Sequence, residues 1–204
     1  VVLGAKELIV NSTITTTYPG FISGTGSFTK QGTGTQILTG SNTYSGGTTV
    51  TGGVLQGNTT SLEGNILNNA SVVFDQAAAG TYAGNISGSG SVTKQNSGTL
   101  IVTGTNTYSG GATVAGGVLQ GNTTSLRGSI LNNASVVFDQ ATTGTYAGVM
   151  SGMGSLTKQN TGTLILTGSN TYSGGTTVAG GVLQGNTTSL QGNILNNASV
   201  VFDQ

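Results

Sequence analysis

One block is written three times along this chain at a period of 64, with twelve positions to spare. Tyr44, Tyr108 and Tyr172 follow that period, as do Lys30, Lys94 and Lys158, and Phe74, Phe138 and Phe202. Residues 53–116 and 117–180 agree at 52 of 64 positions. Self-similarity at a fixed period marks a stacked architecture, in which each unit buries its apolar face against its neighbours. Such an array offers every side chain several times along one axis. That suits spacers and long surfaces better than a single catalytic pocket.

The runs inside a block are short, β-branched and bounded by Gly or Asn, which is the pattern of strands. In the middle copy they include Val118-Leu119-Gln120, Ile130-Leu131, Val136-Val137-Phe138, Leu156-Thr157-Lys158 and Leu164-Ile165-Leu166. With 37 glycines spread along the chain, helix is disfavoured, since each helical Gly costs about 1 kcal/mol. Antiparallel hairpins and a parallel coil both fit seven or eight short strands per block. The coil is preferred because it extends by repetition. At roughly 20 residues per turn, one block makes about three rungs and rises about 14 Å. The expectation is an all-β, parallel β-helix (β-solenoid) forming a single unit over 1–204. Its repeats run approximately over 1–52 (partial), 53–116, 117–180 and 181–204 (partial).

Differences between copies assign faces. Phe28/Val92/Leu156 and Ile22/Ile86/Met150 stay apolar while changing size, as core positions do. Glu63/Arg127/Gln191 and Phe21/Asn85/Val149 change chemistry freely and should face water. Leu38, Val102 and Leu166 read as internal, and so do Leu100 and Leu164 two positions before the latter pair. Gln36 in the first copy breaks that pattern. Ile165 then points outward, which predicts an apolar row along one outer face.

Charged residues are 5% of the chain, five of each sign, so the net charge is zero. A nucleic-acid binder shows a basic face, and the composition supplies none. Clustered Lys/Arg for anionic lipid are also missing. There is no Cys and no His, and no nonapeptide calcium motif, so neither a disulfide, a cofactor nor a metal is expected. No apolar run approaches the ~20 residues of a membrane-spanning helix. The opening Val1-Val2-Leu3-Gly4 lacks the basic and apolar regions of a leader, and the last block stops part-way, so the expectation is a piece of a longer array.

The strings Gly154-Ser155-Leu156-Thr157-Lys158-Gln159, Thr163 through Val178 (Thr-Leu-Ile-Leu-Thr-Gly-Ser-Asn-Thr-Tyr-Ser-Gly-Gly-Thr-Thr-Val) and Gly180-Gly181-Val182-Leu183-Gln184 closely resemble the passenger-associated repeat of bacterial autotransporters. The motif occurs at 26–55, 90–119 and 154–183. The resemblance implies a right-handed β-helix exported through a C-terminal barrel and displayed on, or released from, a Gram-negative outer membrane. Passengers of this kind include adhesins, aggregation factors, toxins and enzymes, and the repeat itself is usually scaffold.

Candidate chemistry is sparse. Lys94 follows Asp75 by 19 positions along the chain, and Lys158 follows Asp139 by the same step, which suggests an ion pair between rungs. One acid per block leaves no partner for the paired carboxylates of sugar hydrolysis. The tyrosine series 18/82/146 and 44/108/172 fit either sugar stacking or packing beside turns with the hydroxyl bonded. Asn68-Asn69 and their counterparts fit turns or amide ladders. Thr157, Thr163, Thr176 and Thr177 recur once per block rather than once per rung, against the Thr rows of ice binding. No catalytic or binding residue is assigned. The expected function is a non-catalytic structural or adhesive surface module for adhesion, aggregation, biofilm or filament formation. Its partner would be another copy or a host glycan or protein. The alternative is the scaffold part of a secreted enzyme or toxin whose active part lies elsewhere, with ice binding a lesser one.

Overall fold

Gly and Asn cut this sequence into apolar runs of two to five residues, too short for helix and well suited to stacked strands. The computed structural model describes residues 1–203; Gln204, the last residue of the final partial repeat, lies outside them. Among the described residues, 26 strands form and no helix does. Every strand pairing is parallel. The chain is a parallel β-solenoid of about ten turns with three faces.

Rung length follows from the register. On one face Leu8 pairs with Phe28, Phe28 with Thr48, Thr48 with Ile66 and Ile66 with Ile86. Three rungs above Phe28 therefore lies Ile86, and not the counterpart Val92. Val92 occupies the next strand along, on the second face, between Val72 and Ala112. Leu156 sits on the third face, between Val136 and Thr176.

One block thus fills ten strand positions: the nine strands from Phe28–Gln31 to Ile86–Ser87, plus the turn at 58–62 that the Asn42 N–H joins through the Thr60 carbonyl. Ten positions on three faces make three and one third turns, against the expected three. The extra third rotates each copy by one face, so three copies together take ten turns.

The interior is built by alternation. In Thr99–Val102, Leu100 and Val102 are buried while Thr99 and Ile101 are half exposed. Phe28, Val92, Leu156, Ile22, Ile86 and Met150 are all buried, as their size-only variation implied. Gln36 does point inward, so the register holds in the first copy too. Its amide nitrogen donates to the Ile37 carbonyl at 3.0 Å and its oxygen accepts from the Thr16 hydroxyl at 2.7 Å, which meets its polar needs inside the coil. Corners are tight. A Cβ on Gly104 would lie 2.2 Å from the carbonyl oxygen of Gly84 one rung below, so only glycine fits there.

Candidate interaction surface

The one-face rotation decides what the outside looks like. On the second face the central outward row reads Thr17, Ile37, Gln56, Val73, Thr93, Thr113, Leu131, Ser151 over consecutive rungs. The third face carries the same order one block later, from Thr81 and Ile101 to Thr177 and Leu195. The first face shows it in two pieces, Thr29 to Ser87 and Thr145 to Val201, with the Glu7 carboxylate covering Thr29. The three faces therefore display one uncharged row, displaced along the axis. Ile37, Ile101 and Ile165 point outward as expected, but each lies on a different face. The apolar row expected on one outer face does not exist. Threonines do meet on adjacent rungs, at Thr29/Thr49, Thr93/Thr113 and Thr157/Thr177, contrary to the once-per-block reading. They stop at pairs, because Leu67, Leu131 and Leu195 follow.

The lysines lie inside. Lys30, Lys94 and Lys158 are fully buried. The Lys94 ammonium donates to the carbonyls of Gln95, Asn96 and Gly116 at 2.9, 2.7 and 3.0 Å. Lys158 repeats this on Gln159, Asn160 and Gly180, and Lys30 on Gln31, Gly32 and Gly52. Each ammonium has three protons and finds these three acceptors. Burial pushes all three lysine pKa values down, with Asp75 and Asp139 partly offsetting this for Lys94 and Lys158. The expected ion pair does not form: in the ladder Phe74 pairs with Lys94, and Asp75 with Gln95. Asp75 faces outward, where it accepts from Gln56 Nε2 at 3.1 Å; Asp139 accepts from Gln120 Nε2 at 3.1 Å and Asn160 Nδ2 at 3.0 Å.

Five of the six tyrosines are buried, which removes them as sugar-stacking platforms. Tyr44 and Tyr172 share hydrogen bonds with Thr48 and Thr176 at 2.7 and 2.6 Å. Tyr82 and Tyr146 donate to the Gly64 and Gly128 carbonyls at 2.5 Å, and they pack edge-on to Phe74 and Phe138 respectively. Asn68 and Asn132 are turn caps rather than a ladder, each bonding the N–H two positions on and a serine carbonyl one rung away.

Sequence reasoning missed a second asparagine series. Asn42, Asn106 and Asn170 bridge three rungs: Asn106 Oδ1 accepts from Ile86 N–H at 2.7 Å and its Nδ2 donates to the Ser125 carbonyl at 2.7 Å. The signal was present, because these asparagines recur with the block; their side chains add to the backbone bonds between rungs there, such as Asn106 N–H to the Thr124 carbonyl and Thr107 N–H to the Ile86 carbonyl.

The passenger-associated-transport-repeat family matches residues 28–56, 92–120 and 156–184. A 165-residue stretch, 79% of the chain, is 37% identical to "Adhesin BmaC autotransporter" of Brucella suis biovar 1 (strain 1330). The chain spans about 4% of the length of that relative. No solved structure matches. With the parallel solenoid, these findings make the chain an autotransporter passenger segment built of passenger-associated transport repeats, a class exported to the bacterial outer cell surface.

Proposed function

We propose that this segment is a non-catalytic, adhesive spacer. It holds binding surface away from the cell and presents it in all directions around its axis. The observation that carries this reading is the uncharged outward row, repeated on each of three faces. A stalk with one sticky side must be turned toward its target; a stalk with three equivalent sides need not be. The absence of charge repulsion between such rows also favours contact between copies. The relative's name as an adhesin agrees with this reading. The parent is tethered in the outer membrane, and its partners are a host or matrix surface or another copy.

Electron microscopy of purified protein, paired with binding to cells and matrix, tests the proposal. The expected particles are rods roughly 50 Å long per segment, from a ~4.8 Å rise per rung, that adhere or associate side by side. Strictly monomeric rods at high concentration, with no binding to cells or matrix, would contradict it.

A further inference from the structure

A groove of about 590 Å³ opens where the middle copy departs from its sisters. It is lined by Tyr108, Arg127, Ser129, Thr145, Ala147 and Val149 among others. In the first copy Asn65 and Asn85 stand where Ser129 and Val149 do, and they bridge rungs there: Asn65 Oδ1 accepts from Asn85 N–H at 2.9 Å, and Asn85 Oδ1 from Thr105 N–H at 2.8 Å. Serine and valine make neither bond, so the groove loses its cross-links. The same copy replaces Glu63 by Arg127, which brings a cation to its edge. The Arg127 guanidinium is exposed and donates only to the Thr123 carbonyl at 3.4 Å.

A buried hydroxyl completes the picture. Thr48 and Thr176, which bond Tyr44 and Tyr172, have Ala112 as their counterpart. Tyr108 is 5% exposed, and its oxygen accepts from the Arg127 backbone N–H at 3.4 Å. Among the described residues its proton therefore has no acceptor. A half-open groove thus gathers a guanidinium, a spare phenol donor, the hydroxyls of Ser129 and Thr145, and the methyls of Ala147 and Val149. We propose that this groove binds an acidic sugar, with Arg127 and Tyr108 holding its carboxylate or sulfate and the small side chains meeting the ring. Donors matched to an anion, hydroxyls matched to a polyol and a shallow apolar floor fit a saccharide better than an acidic peptide, which would call for more than one cation.

The inference rests on the adhesive reading and gives it a ligand class. The test is calorimetric titration of the intact chain with four probes: oligogalacturonate, heparin-derived oligosaccharide, neutral dextran oligomers and polyglutamate. Two variants accompany it, Arg127→Gln and Ala112→Thr. Both introduce the residue a sister copy already carries at that place, so the fold tolerates them. Wild type is expected to bind one or both acidic saccharides and not dextran, and the preferred probe identifies carboxylate or sulfate. Loss of one charge-assisted contact predicts an affinity about tenfold or more lower for Arg127→Gln, and roughly threefold or more lower for Ala112→Thr. Equal binding by either variant, no binding of either acidic saccharide, or polyglutamate binding as tightly, would overturn the proposal. A chain that adheres to cells while ignoring both saccharides overturns this inference alone; a chain that does neither overturns the adhesive reading as well.

Discussion

Asp75 and Lys94 are on adjacent rungs, yet they point to opposite sides of the wall. The ladder sets Phe74, not Asp75, beside Lys94, so the lysine shares the inward side with the phenylalanine while the aspartate faces water. The consequence is asymmetric. Lys94→Met strands the carbonyls of Gln95, Asn96 and Gly116, and a hydrogen bond to a charged group is worth about 1.5–3 kcal/mol. We expect about 2–3 kcal/mol lost for Lys94→Met and under about 1 kcal/mol for Asp75→Asn, read from thermal or denaturant unfolding. Equal losses would restore the ion pair.

Asn106 links the rungs below and above it. Asn106→Ala leaves the Ile86 N–H and the Ser125 carbonyl buried without partners, at about 1–3 kcal/mol for each. A loss of about 2–6 kcal/mol is expected, with faster hydrogen exchange at Ile86 as the local signature. Exchange at Ile86 unchanged from wild type would sink the bridging role.

Asn96 has φ of 68° and Asn160 of 69°, in the left-handed region that their counterpart Gly32 also occupies at 72°. Asn96→Gly should therefore be neutral to within about 0.5 kcal/mol, whereas Asn96→Ala should cost about 1 kcal/mol. Equal stability of the two variants would remove backbone strain as the cause.

Burial holds the phenols of Tyr44, Tyr82, Tyr108, Tyr146 and Tyr172 above their ordinary 10.0. The unfolded chain ionises them from about pH 10, and the folded chain resists, so stability falls as pH rises past 10 at up to about 1.4 kcal/mol per unit per tyrosine. The lysines act in the opposite sense. Their folded pKa values lie below 10.5, so the unfolded state binds more protons beneath that pH, and stability gains with rising pH until 10.5 is passed. The melting temperature should thus drop steeply only above about pH 10.5, and Tyr82→Phe should soften the drop. A melting curve indifferent to pH between 9 and 12 would contradict it.

Much of this fold was legible in the sequence. Strand alternation placed Leu100, Leu164 and Leu166 inside, and size-only variation at Phe28/Val92/Leu156 marked the core. Two things were hidden. Rungs are unequal: the step from Leu55 to its partner Val72 is shorter by three than the step from Val72 to Val92, so the block period gives no direct count of turns. On the longer rung Asp75 pairs with Gln95, so Lys94 falls one position short of it. That single position sends Asp75 outward and Lys94 inward. The groove at Arg127 was half visible. Its position was marked as variable, but the Tyr108–Ala112 mismatch gains meaning only beside the Tyr44–Thr48 bond.

Three and one third turns per block is the claim on which the equal display of all three faces depends. Spin labels at Ile37→Cys and Ile101→Cys, equivalent outward positions one block apart, test it most directly by dipolar distance measurement. With a rise of about 16 Å and a turn to the next face, the separation should be about 25 Å. A separation of about 15 Å, as for labels stacked on one face three rungs apart, would contradict the account.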